Sequence, residues 1–148
     1  MPDNTPDTEV ICHPGPVIAA VLTTHGATAP LLGTRVKPVI AAQDTPPPFA
    51  VYTVEDWATD PALSGTTKRP LVLMSVKLYA TSYAEAHRTG RAVRKALNGY
   101  SGTLAGTTVT SCLYRTQKDG VEIPQDSQML PWYTLTQFYA FRIEDSTS

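Results

Sequence analysis

The fold is decided by PLVLMSVKLYA (Pro70–Ala80) followed by TSYAEAHRTGRAVRKALN (Thr81–Asn98). The first half reads as a strand, because β-branched and apolar residues fill the run from Pro70 to Thr81 and no helix cap precedes them. Strand side chains alternate, so Val72, Met74, Val76, Leu78 and Ala80 share one face, while Ser75, Lys77 and Tyr79 make the other wetter. The second half reads as a helix. Ser82 and Glu85 form a capping box, which satisfies two amide donors left open at the helix start. Tyr83, Ala86, Gly90, Val93 and Leu97 then recur at helical spacing as a narrow apolar stripe. Gly90 costs about 1 kcal/mol against alanine inside a helix, so its expected use is a close approach to the sheet. Asn98-Gly99 supplies a left-handed stop.

Around this unit the chain has 148 residues, enough for one domain with a sizeable core, and a formal net charge of −1. Such a balance gives no global field toward nucleic acid or membrane. The charge is unevenly placed. Asp3, Asp7 and Glu9 make the amino terminus acidic, and no lysine or arginine precedes Arg35. Arg88, Arg91, Arg94 and Lys95 gather on the central helix. Cys12 and Cys112 are too few for a disulfide framework; one bond between them is open, and two reduced thiols are the plainer reading. Val17–Leu22 is far shorter than the ~20 apolar residues of a membrane span and has no basic leader. A soluble protein made inside a cell is expected.

Residues 1–9 are polar and proline-interrupted, and are expected to be solvated, as are residues 144–148. Between them, residues 10–143 are read as a single domain. Pro14-Gly15-Pro16 suits a first helical turn before Val17–Leu22; a strand is the rival reading of so short and β-branched a run. Thr34–Ile40 is confined to a sheet edge by Pro38. Phe49–Val54 reads as a strand, and Glu55–Arg69, with Asp60-Pro61 and Ser64-Gly65, as a long loop of the kind that carries function. After the glycine-rich turns of Gly99–Gly106 comes a strand from Thr107 to Thr116. Lys118-Asp119-Gly120 reads as a hairpin turn into Val121–Ile123. Pro124–Pro131 reads as another loop, and Trp132–Ile143 as the most aromatic strand, with Trp132 and Phe138 opposite the face of Leu135, Tyr139 and Phe141. The expected class is α+β: a mainly antiparallel sheet of four to five strands with two main helices packed on one face.

The residues of catalysis are missing. His13, His25 and His87 have no neighbours at metal-ligand spacing, and Gly99–Gly106 follows a helix instead of preceding one, the wrong polarity for a phosphate loop. No Gly-x-Ser-x-Gly elbow exists, and Cys112 sits within a strand. No catalytic, metal or cofactor site is expected. The basic helix face is either a solvated surface or a contact for an acidic partner or passing DNA. No aromatic interleaving there supports base stacking.

Taken together these residues resemble a known family. Arg35-Val36-Lys37-Pro38 follows a short helix. Pro47–Tyr52 then reads Pro-x-Phe-Ala-Val-Tyr, and the unit Val72–Ala80 runs into Ser82-Tyr83-Ala84-Glu85-Ala86. The basic helix closes on Leu97-Asn98-Gly99. From Val17 to Ile143 the chain resembles the tail-completion or tail-terminator proteins of long-tailed phages. The Pro46–Pro48 run, the acidic amino terminus and the Lys118–Pro131 excursion depart from that pattern.

The resemblance implies a non-enzymatic virion protein, assembled in the host cytoplasm and placed at the head-proximal end of the tail. It implies a ring, usually a hexamer, that caps the tail tube, stops its polymerisation and meets the head–tail connector. DNA would pass through without sequence preference, and no membrane is involved. Identical subunits in a ring need two different complementary patches each. Trp57, Leu63, Lys68 and Arg69 are the candidates for an oligomer or tube interface. Arg88, Arg91, Arg94 and Lys95 are the candidates for the lumen or a subunit junction. A neck or head-completion adaptor is the alternative, and a small cytosolic enzyme of unrecognised type is a more distant one.

Overall fold

The capping box forms as the sequence demands. In the computed structural model, which describes residues 13–38, 47–58, 70–123 and 131–144, the Ser82 hydroxyl accepts from Glu85 N at 3.1 Å. The Glu85 carboxylate reaches back to Thr81 N at 3.0 Å. The helix so started, α3 (Tyr83–Leu97), follows directly on the strand β3 (Leu71–Ala80). Val72, Met74, Val76, Leu78 and Ala80 are all fully buried on the face predicted for them.

Gly90 has the use expected of it. A Cβ there would lie 2.2 Å from Leu135 Cδ2, so only a bare backbone lets α3 come this close to the sheet. The stripe on α3 differs at one end. Ala86, Thr89, Gly90, Val93, Ala96 and Leu97 are buried, but Tyr83 is 55% exposed, because its hydroxyl turns outward to Asp119.

The other helices are α1 (Pro14–Thr24) and the single turn α2 (Ala29–Leu32), which the sequence did not disclose. α1 starts on prolines, as read, and is capped by His13, whose Nδ1 accepts from Gly15 N at 2.8 Å. Val17, Ile18, Val21 and Leu22 of α1 join the β3 and α3 residues in one hydrophobic cluster. Arg35 ties the connection that follows: it donates from Nε to Pro48 O and from a terminal nitrogen to Leu31 O, both at 2.9 Å.

The class is α+β as expected, but the sheet is larger than expected. Six strands lie in the order β1-β2-β3-β6-β5-β4. The strand not anticipated is the short β4 (Gly102–Leu104) at one edge; β1 (Val36–Pro38), at the other, falls within the edge segment expected over Thr34–Ile40. β1 runs parallel to β2 (Phe49–Ala58), and every other pairing is antiparallel. β4 turns into β5 (Thr107–Glu122) through Ala105 and Gly106, both at positive φ, which matches the twist of a two-residue hairpin.

Two boundaries are corrected. Glu55–Ala58, read as the start of a loop, continue β2, with Asp56, Trp57 and Ala58 paired to Leu73, Val72 and Leu71. Lys118-Asp119-Gly120 is no turn: β5 passes straight through it, paired to Thr136, Leu135 and Thr134 of β6 (Trp132–Glu144). A long partner strand overrides a local turn signal, because breaking β5 there would strand the ladder groups of β6. Glu144, expected in a solvated tail, closes β6. The expected loops 59–69 and 124–130, the segment 1–9 and Cys12 lie outside the described residues. Cys112 is buried in the core.

Candidate assembly surfaces

α3 presents the basic face that the sequence placed on it. Arg88, Arg91, Arg94 and Lys95 are all exposed, and none forms an ion pair among the described residues. Arg94 lies over the Tyr114 ring, 4.7 Å from its centre, an arrangement worth about 0.5–1 kcal/mol at an exposed site. Arg91 and Arg94, with His87, Gln117 and Gln137, border a cleft of about 290 Å³ between α3 and the sheet.

The floor of this cleft is a closed polar network. Gln137 is 1% exposed; its Nε2 donates to Gly90 O at 2.8 Å and to Gln117 Oε1 at 3.1 Å. Its Oε1 accepts from the Tyr139 hydroxyl at 2.7 Å. Each buried polar atom of the amide is satisfied, so the network costs little and fixes where α3 sits. Burial pushes the Tyr139 hydroxyl pKa upward, so the phenol stays a donor.

At the amino-terminal end of α3, Asp119 Oδ2 accepts from the Tyr83 hydroxyl at 2.8 Å and lies 3.4 Å from His87 Nε2. The Tyr83 bond first, and His87 second, hold the Asp119 carboxyl below its usual range. The same bond raises the Tyr83 hydroxyl. This contact pins α3 to β5 across the stretch mistaken for a turn.

Trp57 stands near the end of β2, 41% exposed, with its ring 5.6 Å from that of His13. It is an exposed aromatic on a strand rather than in a loop. Leu63, Lys68 and Arg69, expected beside it, lie outside the described residues.

Sequence reading missed the face of the sheet away from the helices. No described helix covers it. Asp56, Ala58, Leu71, Leu73, Arg115, Thr116, Phe138 and Ala140 line a trough of about 510 Å³ there. Toward the other end of β3, Phe49 stacks on Tyr79 at 4.6 Å and Trp132 meets both rings edge-on. Lys77 bonds Glu122 at 2.6 Å. Desolvation acts to lower the Lys77 pKa, but the hydrogen bond to Glu122, together with Tyr79 and the Glu122 charge, outweighs it and the net direction is upward. The signal for this face was present in Trp132 and Phe138, which stand opposite the helix-packed side of β6.

Chemistry has little to work with. Among the described residues no group of three or more His, Cys, Asp or Glu side chains could hold a metal ion. No described helix is long and apolar enough to cross a membrane. Burial pushes the Cys112 thiol up to about 12, far from a thiolate nucleophile. What the molecule offers is surface: a basic helix face, an uncovered sheet face and an exposed tryptophan on a rigid frame. These are exposed patches on an α+β frame.

The comparison with known families gives the class of protein. Residues 16–129 match the family Tail completion protein gp17, and the chain belongs to it. It is a structural protein of the phage virion, a tail component and not an enzyme. Among solved structures, a chain from the virion of a native gene transfer agent particle shares the fold, with a TM-score of 0.65 at 15% identity. The match covers 86% of this chain and 92% of that one. No curated protein sequence matches this chain.

Proposed function

We propose that this chain forms a ring, a hexamer, on the head-proximal end of the tail tube. The ring covers the polymerising end, stops the addition of tube subunits and offers its opposite face to the head–tail connector. Membership of the tail-completion family carries this reading. The surfaces support it, since a cyclic array of identical subunits needs two unlike patches on each copy. Trp57, with Leu63, Lys68 and Arg69, contacts the next subunit or the tube, the tryptophan being the residue type enriched where interface energy concentrates. Arg88, Arg91, Arg94 and Lys95 face the lumen, where DNA passes without sequence readout, or a subunit junction.

The test is to add the purified chain to polymerising tube protein and measure tube length by negative-stain microscopy. Short tubes bearing a terminal ring are expected, and the Trp57→Ala, Leu63→Ala double variant should stay folded but cap nothing. Tubes that elongate at an unchanged rate would overturn the proposal. Binding to the connector alone, with none to the tube, would replace it with the neck-adaptor reading.

A further inference from the structure

The cleft beside α3 has an order built into its hydrogen bonds. Gly90 O can only accept, so the atom of the Gln137 amide that meets it at 2.8 Å is the nitrogen. The Gln137 oxygen is thereby turned to the Tyr139 hydroxyl, which donates to it at 2.7 Å. The same nitrogen donates to Gln117 Oε1 at 3.1 Å, and so orients the Gln117 amide in turn. Its oxygen faces inward, and its Nε2 donors are the end left for the cleft, which Gln117 lines, half-buried. The three acceptors of this floor, Gly90 O, Gln137 Oε1 and Gln117 Oε1, are each engaged within the subunit.

The opposite wall is cationic. His87, Arg91 and Arg94 are spaced i, i+4 and i+7, so they stand on one flank of α3, and all three border the cleft. Arg88 and Lys95 do not line it. Arg94 lies by its face on the Tyr114 ring, and a guanidinium stacked in this way keeps its edge N–H groups for an oxygen acceptor. Asp119 stands two positions from Gln117 on the same face of β5. It is bonded by the Tyr83 hydroxyl at 2.8 Å and lies 3.4 Å from His87, and it makes no ion pair with Arg91 or Arg94. The cleft therefore offers donors and positive charge in a recess of about 290 Å³, the complement of an oxyanion.

The shape of the recess selects among oxyanions. A duplex carries its phosphates along a stiff backbone and is bound through rows of exposed cations. A recess between a helix and a strand, floored by an amide that is 1% exposed, suits a single carboxylate on a side chain. Pairs of arginine with carboxylate are often bidentate, which fixes geometry as well as charge.

We infer that this cleft is a carboxylate clamp: Arg91 and Arg94 grip an aspartate or glutamate side chain from an acidic segment of a neighbouring virion protein, and Gln117 Nε2 donates to it from the sheet. His87 closes the end of the cleft nearest Asp119. Of the two places proposed above for the basic face, Arg91 and Arg94 thus belong to a protein junction and not to the lumen. The inference rests on the proposed assembly for the partner's being a virion protein; the clamp itself belongs to the single chain.

The experiment titrates the nitrogen-labelled full chain with a capped oligoglutamate peptide at neutral pH and follows the side-chain amide signals of Gln117 and Gln137 by NMR. Both should shift, and the oligoglutamine counterpart should move neither. Arg91→Gln with Arg94→Gln should weaken binding roughly 10–100-fold, the loss expected for charge-assisted hydrogen bonds. Gln117→Leu, which leaves every charge in place, should weaken it as well. Lys37→Gln with Lys118→Gln removes the same charge from other exposed sites and should leave binding nearly unchanged. An equal loss in the two pairs would reduce the effect to net charge and overturn the clamp. So would an oligoglutamate that moves neither amide, or short duplex DNA that moves both more strongly. Circular dichroism checks each fold, and should the arginine pair misfold, Gln117→Leu decides alone. Capping of the tube is read separately, so that loss of the clamp leaves the ring standing and loss of the ring leaves the clamp.

Discussion

Replacing Gly90 by alanine tests how tightly the central helix is set on the sheet. Three effects compete. The helix itself gains about 1 kcal/mol from losing a glycine. Against this, the added Cβ would stand 2.2 Å from Leu135 Cδ2 and 3.2 Å from Gln137 Nε2. Leu135 is 1% exposed and borders the cleft beside α3, so its Cδ2 has to shift toward that space, and overpacking of this kind costs about 1–3 kcal/mol. The Gln137 amide is also pushed off its 2.8 Å bond to Gly90 O, and a buried donor left unsatisfied costs about 1–3 kcal/mol more. The net expectation is a loss of roughly 1–5 kcal/mol, or a melting temperature lower by roughly 2–20 °C for a chain of this size. Urea and thermal unfolding followed by circular dichroism would measure it. A double-mutant cycle isolates the cause: Leu135→Ala alone should cost about 2–5 kcal/mol. In that background Gly90→Ala should become neutral or stabilising, since its methyl enters vacated volume. An equal cost for Gly90→Ala in both backgrounds, or a stabilised single variant, would refute the close-approach argument.

Two further outcomes are expected. Burial lowers the folded-state pKa of His13 from the ordinary 6.5, and its cap needs an unprotonated Nδ1. His13 therefore contributes stability that is complete above about pH 6.5 and is lost as the pH falls toward the folded-state pKa. Unfolding free energies of His13→Asn, whose cap does not titrate in this range, should depend less steeply on pH between 7 and 5; identical slopes would remove the cap from the account. With its thiol near 12, Cys112 in a Cys12→Ser chain should alkylate at pH 8 roughly 10³-fold more slowly folded than unfolded. Equal rates would show an open core.

What could be read in the sequence was what is settled locally. The β3–α3 unit needs only a capping box, an alternation and a glycine, all within 30 residues of one another, and it was legible almost to the residue. Tyr83 escaped because its partner, Asp119, is 36 positions away in the chain. The turn assigned to Lys118-Asp119-Gly120 failed for the same reason: residues with turn chemistry are held extended by pairing with β6, a strand that was read but whose partner and register no local signal gives. Glu55–Ala58 gave no apolar alternation, since it is pairing with Leu71–Leu73 that makes it strand. The parallel pairing of β1 with β2 leaves no mark in three residues. For the site, the arginines and Trp57 could be named from composition and position. The trough could not, because it belongs to the order of strands and to no single segment.

That order has a consequence in time. β6 comes last of the six strands along the chain, yet it lies between β3 and β5, near the middle of the sheet. Until it is made, β3 and β5 have no ladder between them. Gly90 has no Leu135 to settle against, and the buried amide of Gln137 does not yet exist. A chain interrupted before Trp132 thus lacks the piece that joins the two halves. Completion of synthesis becomes the condition for a closed sheet, so that a chain cut short is left unfinished by the topology alone.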